Sequence, residues 1–314
     1  MNSRSDKSVS RRSVVKGAIV LGVAGALGNL EALAADSLAP ILRTVPSTGE
    51  KLPVVGIGTN AFDVTAADEI ATRKEVLKNL PLLGGKIVDT ARAYGHSEEV
   101  IGQLVEELGN RDKLFFSTKT PLAGDLSNPK AVVDEAFKRL RTDRIDLYEI
   151  HNFFGLEELL PVLREYKQAR KIRYIGATTS FEPQHALLVE AMKKHSLDFI
   201  QVNYSIEDRS SAKDVLPTAQ EKGVAVLINM PLGGRRGTFM PKLANKPLPA
   251  WAAEVDASSW AQLLLKYNLS HPAVTAVIPG TTIMQYLEDN QRAGRGRLPD
   301  AAMRKRIEDL WATI

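Results

Sequence analysis

Four side chains suited to acid–base chemistry stand at or just beyond the ends of three apolar runs of strand length. Lys86-Ile-Val-Asp89 ends in a carboxylate, and five residues on comes Tyr94, with a helical pattern from Ser97. Leu114-Phe-Phe-Ser-Thr-Lys119 ends in an ammonium and Ile145-Asp-Leu-Tyr-Glu-Ile-His151 in an imidazole. A free phenol ionises near pH ~10, too high for an efficient acid–base group at neutral pH. A neighbouring ammonium favours the phenolate, and a carboxylate paired with that ammonium keeps it charged and fixed. Tyr94, Lys119 and Asp89 supply these parts, and a neutral His151 supplies a donor for a developing negative charge. Taken singly, Asp89 and Lys119 also suit a buried structural ion pair, Tyr94 a rim position and His151 a satisfied core histidine.

The elements that must hold these groups follow from periodicity. Runs near 54–58, 86–89, 114–118, 145–150, 173–177, 198–202, 224–229 and 275–278 are rich in Val, Ile, Leu and Phe, with little polar alternation, as in a parallel sheet buried on both faces. Between them lie helical patterns at 68–80, 97–108, 129–140, 156–169, 182–194, 211–221 and 258–267, and two more follow at about 283–292 and 300–313. Ser97 and the glutamates behind it suit a helix start. Residues 41–55 read as a hairpin around Ser47-Thr-Gly-Glu50. Alternating strands and helices in this number predict an α/β fold, a closed (β/α)8 TIM barrel with an N-terminal β-hairpin and additional C-terminal helices. In such a barrel the groups at the strand ends meet on one rim.

One connection is long. Residues 231–258 contain four prolines, Gly233-Gly-Arg-Arg-Gly237 and Trp251 without a regular period, and lie on the rim side. They predict a substrate lid, with Trp251 and Phe239 as apolar contacts, Trp251 equally as an anchor of the loop to the barrel.

Val88-Asp-Thr-Ala-x-x-Tyr-Gly95, Thr118-Lys119 and Ile150-His151 resemble the catalytic signature of the aldo-keto reductase superfamily. Gly56-Ile-Gly-Thr59, Gln201-Val-Asn-Tyr204 and Ile278-Pro-Gly-Thr-Thr282 extend the likeness, in the family's order, from about Leu52 to Asn290. The resemblance implies hydride transfer from a nicotinamide cofactor to an aldehyde or ketone. Tyr94 would be the general acid, Lys119 and Asp89 would tune it, and His151 would orient the carbonyl.

It also implies a cofactor site. Gly58, Thr59 and Asn60, together with Asp89, correspond to the loops beside the nicotinamide riboside, and Gln201 to the residue that bonds the carboxamide. Gly176-Ala-Thr-Thr-Ser-Phe181 is one residue longer than the family pattern, so Thr178, Thr179 or Ser180 could be the contact. Asn229, Met230, Pro231 and Leu232 stand where many members carry an aromatic that stacks on the nicotinamide. Gly280, Thr281, Thr282, Tyr286, Asp289 and Asn290 correspond to the pyrophosphate and adenosine end. Gly280 and Tyr286 replace the Lys and Arg that usually grip a 2′-phosphate. NADP(H) is the expected cofactor and NAD(H) the alternative, with Arg292, Arg295 and Arg297 nearby as substitute cations. A second reading is a barrel that holds the dinucleotide as a sensor or partner-docking subunit with little turnover, and a third is a dehydratase or isomerase.

The N-terminus reads as an export signal. Ser10-Arg-Arg-Ser-Val-Val-Lys16 precedes an apolar segment too short to span a bilayer, then Ala32-Leu-Ala34 as a cleavage pattern. The Arg11–Arg12 pair resembles a twin-arginine signal. Residues 1–34 are therefore expected to be the signal and 35–314 a single barrel domain, exported folded to the periplasm by the twin-arginine machinery, without stable membrane anchoring, and monomeric. The chain has no cysteine, which excludes disulfides and thiolate chemistry, and only five histidines, none with metal-ligand spacing. A formal charge of +4 without basic runs interleaved with aromatics excludes nucleic acid as the expected partner. No Gly-x-Gly-x-x-Gly loop, Walker loop or Gly-x-Ser-x-Gly elbow is present.

Overall fold

A computed structural model of the chain describes residues 38–234 and 239–314. The expected signal, with Arg11 and Arg12, lies outside the described residues. Pro40–Ile314 form one compact unit. It begins with an antiparallel hairpin, β1 (Leu42–Thr44) on β2 (Lys51–Pro53), paired so that Arg43 faces Leu52. Eight parallel strands follow: β3 (Ile57–Gly58), β4 (Ile87–Asp89), β5 (Phe115–Lys119), β6 (Ile145–His151), β7 (Ile172–Thr178), β8 (Phe199–Asn203), β9 (Ala225–Asn229) and β10 (Ala276–Val277). Each pairs with its neighbour in sequence, and the parallel bridges Val55–Val277 and Gly58–Gly280 join the first strand region to the last, closing the barrel.

The helices are α1 (Ala67–Asn79), α2 (Ser97–Leu108), α3 (Pro129–Arg139), α4 (Leu156–Gln168), α5 (His185–Lys194), α6 (Val215–Lys222), the short α7 (Met240–Leu243), α8 (Trp260–Leu269), α9 (Met284–Ala293) and α10 (Ala301–Trp311). The pattern expected over 182–194 divides at Pro183 into a 3-10 turn, Glu182–Gln184, and α5. Strand alternation sorts the core in two. Phe116, Tyr148, Ile150 and Ile200 face the helices, while Ile87, Phe115, Leu147, Tyr174, Phe199 and Leu227 fill the lumen. Val45 and Leu52 of the hairpin, both fully buried, plug the lumen from below. Burying such a side chain contributes roughly 1.5–3 kcal/mol. The apolar residues therefore occupy the lower lumen, and polar residues of the same parity stack above them.

Residues 239–258 of the long connection are more ordered than their lack of period suggests. They contain α7 and a 3-10 stretch, Ala250–Val255. Phe239 is fully buried, with its ring 4.9 Å from that of Trp311 in an edge-on contact. Its ring fills the space beside Gly233, whose φ of +90° already favours glycine. Trp251 lies under the guanidinium of Arg306 at 4.5 Å. Both aromatics thus fasten the connection to α10: Trp251 takes the anchoring role, and the full burial of Phe239 corrects the expectation that it contacts substrate.

Candidate active site

Asp89, Ser117, Lys119, Glu149, His151, Thr178, Gln201 and Asn229 share the lumen-facing parity of their strands and form a polar layer at the C-terminal mouth. The register Gly58–Asp89–Ser117 and Lys119–Glu149–Gly176 sets their heights. Lys119 is buried, and its Nζ donates to both Asp89 carboxylate oxygens at 2.7 Å and to Thr90 O at 2.8 Å. Burial alone would lower the ammonium pKa, but Asp89, Tyr94 and Glu149 outweigh it and hold it above the ordinary lysine value. The ammonium lies 5.5 Å from the centre of the half-buried Tyr94 ring.

The loop carrying Tyr94 is fixed from behind. Thr59, fully buried, donates to Asp89 O through Oγ1 at 2.8 Å and N at 3.0 Å. Ser97 Oγ donates to Thr59 O at 3.0 Å and lies 3.0 Å from Thr90 Oγ1. Ser97 therefore ties α2 to the barrel rather than capping it, and no side chain caps that helix. Glu98, in the first turn, is buried between Arg139 Nε at 2.7 Å and the Thr118 hydroxyl at 2.6 Å. These bonds turn a strand end into a rigid mount for the phenol.

His151 ends β6, its backbone N–H bonded to Thr120 Oγ1 at 3.0 Å, while its Nδ1 is buried without a hydrogen-bond partner. Burial, then the Lys119 charge, pushes the imidazole down to about 3, so it is neutral throughout the physiological range. A neutral ring beside an ammonium is suited to donate a hydrogen bond, not to carry a charge. Asn152 and Phe153 follow with φ of +49° and +63°, a sharp turn directly after His151.

Two members of the layer escaped the sequence reading. Ser117 Oγ donates to Asp89 Oδ1 at 3.0 Å, and Glu149, fully buried, receives Gln201 Nε2 at 3.0 Å. The available signal was parity: Glu149 lies two residues before His151 and Ser117 two before Lys119, so all four face the lumen. Among the described residues no group of three or more His, Cys, Asp or Glu is arranged to hold a metal ion.

The expected cofactor residues separate into three sets. At the mouth, Thr178 ends β7 in register with both His151 and Gln201. The Thr179 hydroxyl is committed to Gln184 at 2.7 Å and to Phe181 N at 3.1 Å, and Ser180 is exposed, which leaves Thr178 as the lumen-facing choice. Gln201 is buried; its Nε2 donates to Asp89 and Glu149, and its Oε1 accepts from Asn229 Nδ2 at 3.2 Å. Asn229 Oδ1 is buried without a partner, an orphaned acceptor at the same mouth. Met230, with φ of +48°, and Leu232 are half-buried, whereas Pro231 is buried with its carbonyl bonded to Asn268.

A second set surrounds the seam. Gly58 approaches so closely that an added Cβ would lie 2.9 Å from Ile278 O, and Asn60 and Gly280 are exposed beside it. The third set precedes and begins α9, whose first turn has neither an acidic residue nor a side-chain cap. Thr282 is half-buried there and Tyr286 is exposed. Thr281, Asp289 and Asn290 act as scaffold: Asn290 Nδ2 bonds Thr281 Oγ1 at 3.0 Å, and the Asp289 carboxylate is held by Ser259 and Gln262, each at 2.7 Å. Two of the suggested substitute cations are committed elsewhere, Arg295 to Leu83 O and Arg297 to Asp256.

A barrel closed by eight parallel strands, with its polar groups gathered at their C-terminal ends, has the layout of the barrel enzymes. The model of the Aldo/keto reductase family matches residues 54–312, and the chain belongs to that family of oxidoreductases. It is 32% identical over 203 residues to the aldo-keto reductase YhdN of Bacillus subtilis, covering 59% of this chain and 60% of that one. It is 31% identical over 282 residues to the NADH-specific methylglyoxal reductase of Escherichia coli, covering 72% and 85%. The fold superposes with a TM-score of 0.71 on an aldo-keto reductase of Klebsiella pneumoniae in complex with NADPH, at 22% identity and covering 87% and 96%.

Proposed function

We propose that this chain reduces small aldehydes or ketones with a nicotinamide cofactor, using Tyr94 as general acid. The observation that carries the reading is the Lys119 ammonium, gripped by both oxygens of Asp89 and held 5.5 Å from the Tyr94 ring centre, beside a neutral His151 with a bare Nδ1. When bound, the dihydronicotinamide supplies the hydride. Negative charge then develops on the carbonyl oxygen; His151 donates a hydrogen bond to it, and the Tyr94 hydroxyl gives it a proton. The ammonium of Lys119 stabilises the phenolate left behind. The apolar lower lumen keeps water from reaching the mouth from below.

The residues fit such a cofactor. Asn229 Oδ1 is an unpartnered acceptor for a carboxamide N–H, and Thr178 is in register with Gln201, to which Asn229 is bonded. The uncapped N-terminus of α9, with Thr282, offers free N–H groups to a pyrophosphate. Both reduced dinucleotides are accepted in this reading. The K. pneumoniae protein of the same fold holds NADPH and the E. coli relative is NADH-specific, while here Gly280 and Tyr286 bring no cation to a 2′-phosphate.

The test is Tyr94→Phe, which should lower carbonyl reduction by at least ~10²-fold, the usual yield of general acid catalysis, with dinucleotide affinity nearly unchanged. Wild-type turnover in the Phe variant would remove Tyr94 from the mechanism. Residues 1–34 are part of the proposal as a twin-arginine signal that exports the folded protein to the periplasm. No helix among the described residues is long and apolar enough to cross a membrane.

A further inference from the structure

Glu149 is a carboxyl group without an assigned task. It is fully buried on β6, two residues below His151, with Oε2 accepting from Gln201 at 3.0 Å and approached by Ser117 Oγ at 3.4 Å. Its Oε1 has no partner. The recess that holds it exists because the residue paired with it on β7 is Gly176, where a Cβ would lie 3.0 Å from Glu149 Cγ and 3.2 Å from Oε1. A carboxylate with one bare oxygen in such a recess is costly, whereas a neutral carboxyl is far less so.

The groups facing it are few. β4 contributes Asp89 and β5 contributes Lys119, whose ammonium is the group beside Tyr94, and β6 itself ends in His151. β7 contributes Tyr174, whose hydroxyl is turned down to Glu50 at 2.6 Å and Thr48 at 2.7 Å. β8 contributes only the amide of Gln201. Glu149 shares two hydrogen-bond donors, Ser117 and Gln201, with Asp89, and is coupled through Asp89 to the ammonium beside the phenol.

Resting on the reductase reading, we propose that Glu149 is a positioning residue which sets, through the Asp89–Lys119 pair, how readily Tyr94 gives up its proton. Burial, partly opposed by Lys119 and reinforced by Asp89, pushes its carboxyl up to about 8. At neutral pH the carboxyl is protonated, the Asp89–Lys119 pair has no net charge, and the phenolate formed in turnover is tolerated. At alkaline pH Glu149 ionises, its negative charge disfavours the phenolate, and Tyr94 retains the proton that reduction needs. The carboxyl thereby extends reduction to higher pH than the pair alone would allow.

The test follows Tyr94 itself. Tyrosinate absorbance is titrated in the full chain and in Glu149→Gln and Glu149→Met variants, each against its Tyr94→Phe counterpart. Both substitutions remove the ionisation, so both should lower the phenol midpoint by about one pH unit, the scale of effect of one charge in a polar interior. The alkaline limit of aldehyde reduction should fall by the same amount. If Glu149 were only a hydrogen-bonded filler, Gln would titrate like the wild type and only Met would differ, and that result would overturn the proposal. In the wild type, the infrared band of a buried protonated carboxyl should be present at pH 7 and vanish at a pH below the phenol midpoint; its absence at pH 7 would also overturn the proposal, even if both variants failed to fold. The phenol midpoint is read without turnover. An active Tyr94→Phe enzyme would therefore defeat the catalytic reading while leaving this coupling to stand or fall by itself.

Discussion

Replacing Lys119 by Met tests the centre of the site, because its two consequences can be separated. The ammonium is 5.5 Å from the centre of the Tyr94 ring. At an effective dielectric of ~20, a unit charge at that distance is worth about 3 kcal/mol, or about two pH units of phenol acidity. Tyr94 is half-exposed, so solvent screens part of this and about one unit remains. Loss of the charge also removes stabilisation of the phenolate during proton transfer, and together these predict a fall in kcat of about 10²-fold at pH 7. The second consequence concerns folding. Lys119→Met leaves Asp89 as a buried carboxylate whose other donors are Ser117 and Gln201, a loss of about 3 kcal/mol, at the lower end for a broken buried pair. For a domain of this size, Tm should drop by roughly 5 °C. The double variant Asp89→Asn/Lys119→Met has no stranded charge, so it should recover most of the Tm and none of the activity. Thermal melts and the pH profile of benzaldehyde-type reduction, measured on all three proteins, give the answer. A double variant with wild-type kcat would refute the argument that the pair exists to tune Tyr94.

Three further outcomes follow from the same geometry. Because Arg295 and Arg297 are already bound to Leu83 O and Asp256, and Gly280 and Tyr286 carry no charge, discrimination between NADPH and NADH should be below ~100-fold in fluorescence titrations; several thousand-fold would show another cation at work. His151, pushed down to about 3, should leave kcat/KM flat through pH 6–7; since its folded value lies below its unfolded one, the stability it provides is complete above ~6.5 and lost as pH falls toward 3, a loss that denaturant melts of His151→Gln should not show. Arg11→Lys with Arg12→Lys should strand active protein in the cytoplasm, and unimpaired export of that variant would count against the twin-arginine route.

The barrel was legible because its strands are apolar on both faces and its helices keep a clear period, so strand runs such as 145–150 needed no tertiary information. Asp89, Lys119 and His151 were legible because each ends a strand run, where a titratable group is out of keeping with the residues before it. What stayed hidden depends on contacts remote in sequence. Ser97 looks like a cap because serine before glutamates usually is one, yet its hydroxyl meets Thr59, 38 residues away. Phe239 and Trp251 look like lid residues because their loop has no period, and only the later α10 gives them partners.

Glu149 is the more instructive case. An acid in the middle of a strand usually reads as a solvent-facing position, and nothing local contradicts that. Its neighbour Asp146 has the opposite parity and spends both carboxylate oxygens, on Arg111, Arg173 and Phe116 N, as a buried structural acid should. Glu149 has the parity of His151 and leaves one oxygen bare. Two acids three residues apart on one strand thus have opposite fates, decided by which side of the sheet each faces. Parity counted from a strand end that carries a candidate site residue is therefore a usable rule for barrels: residues two and four before that end line the lumen. A titratable group found there is buried with the chemistry and must be included in its charge balance.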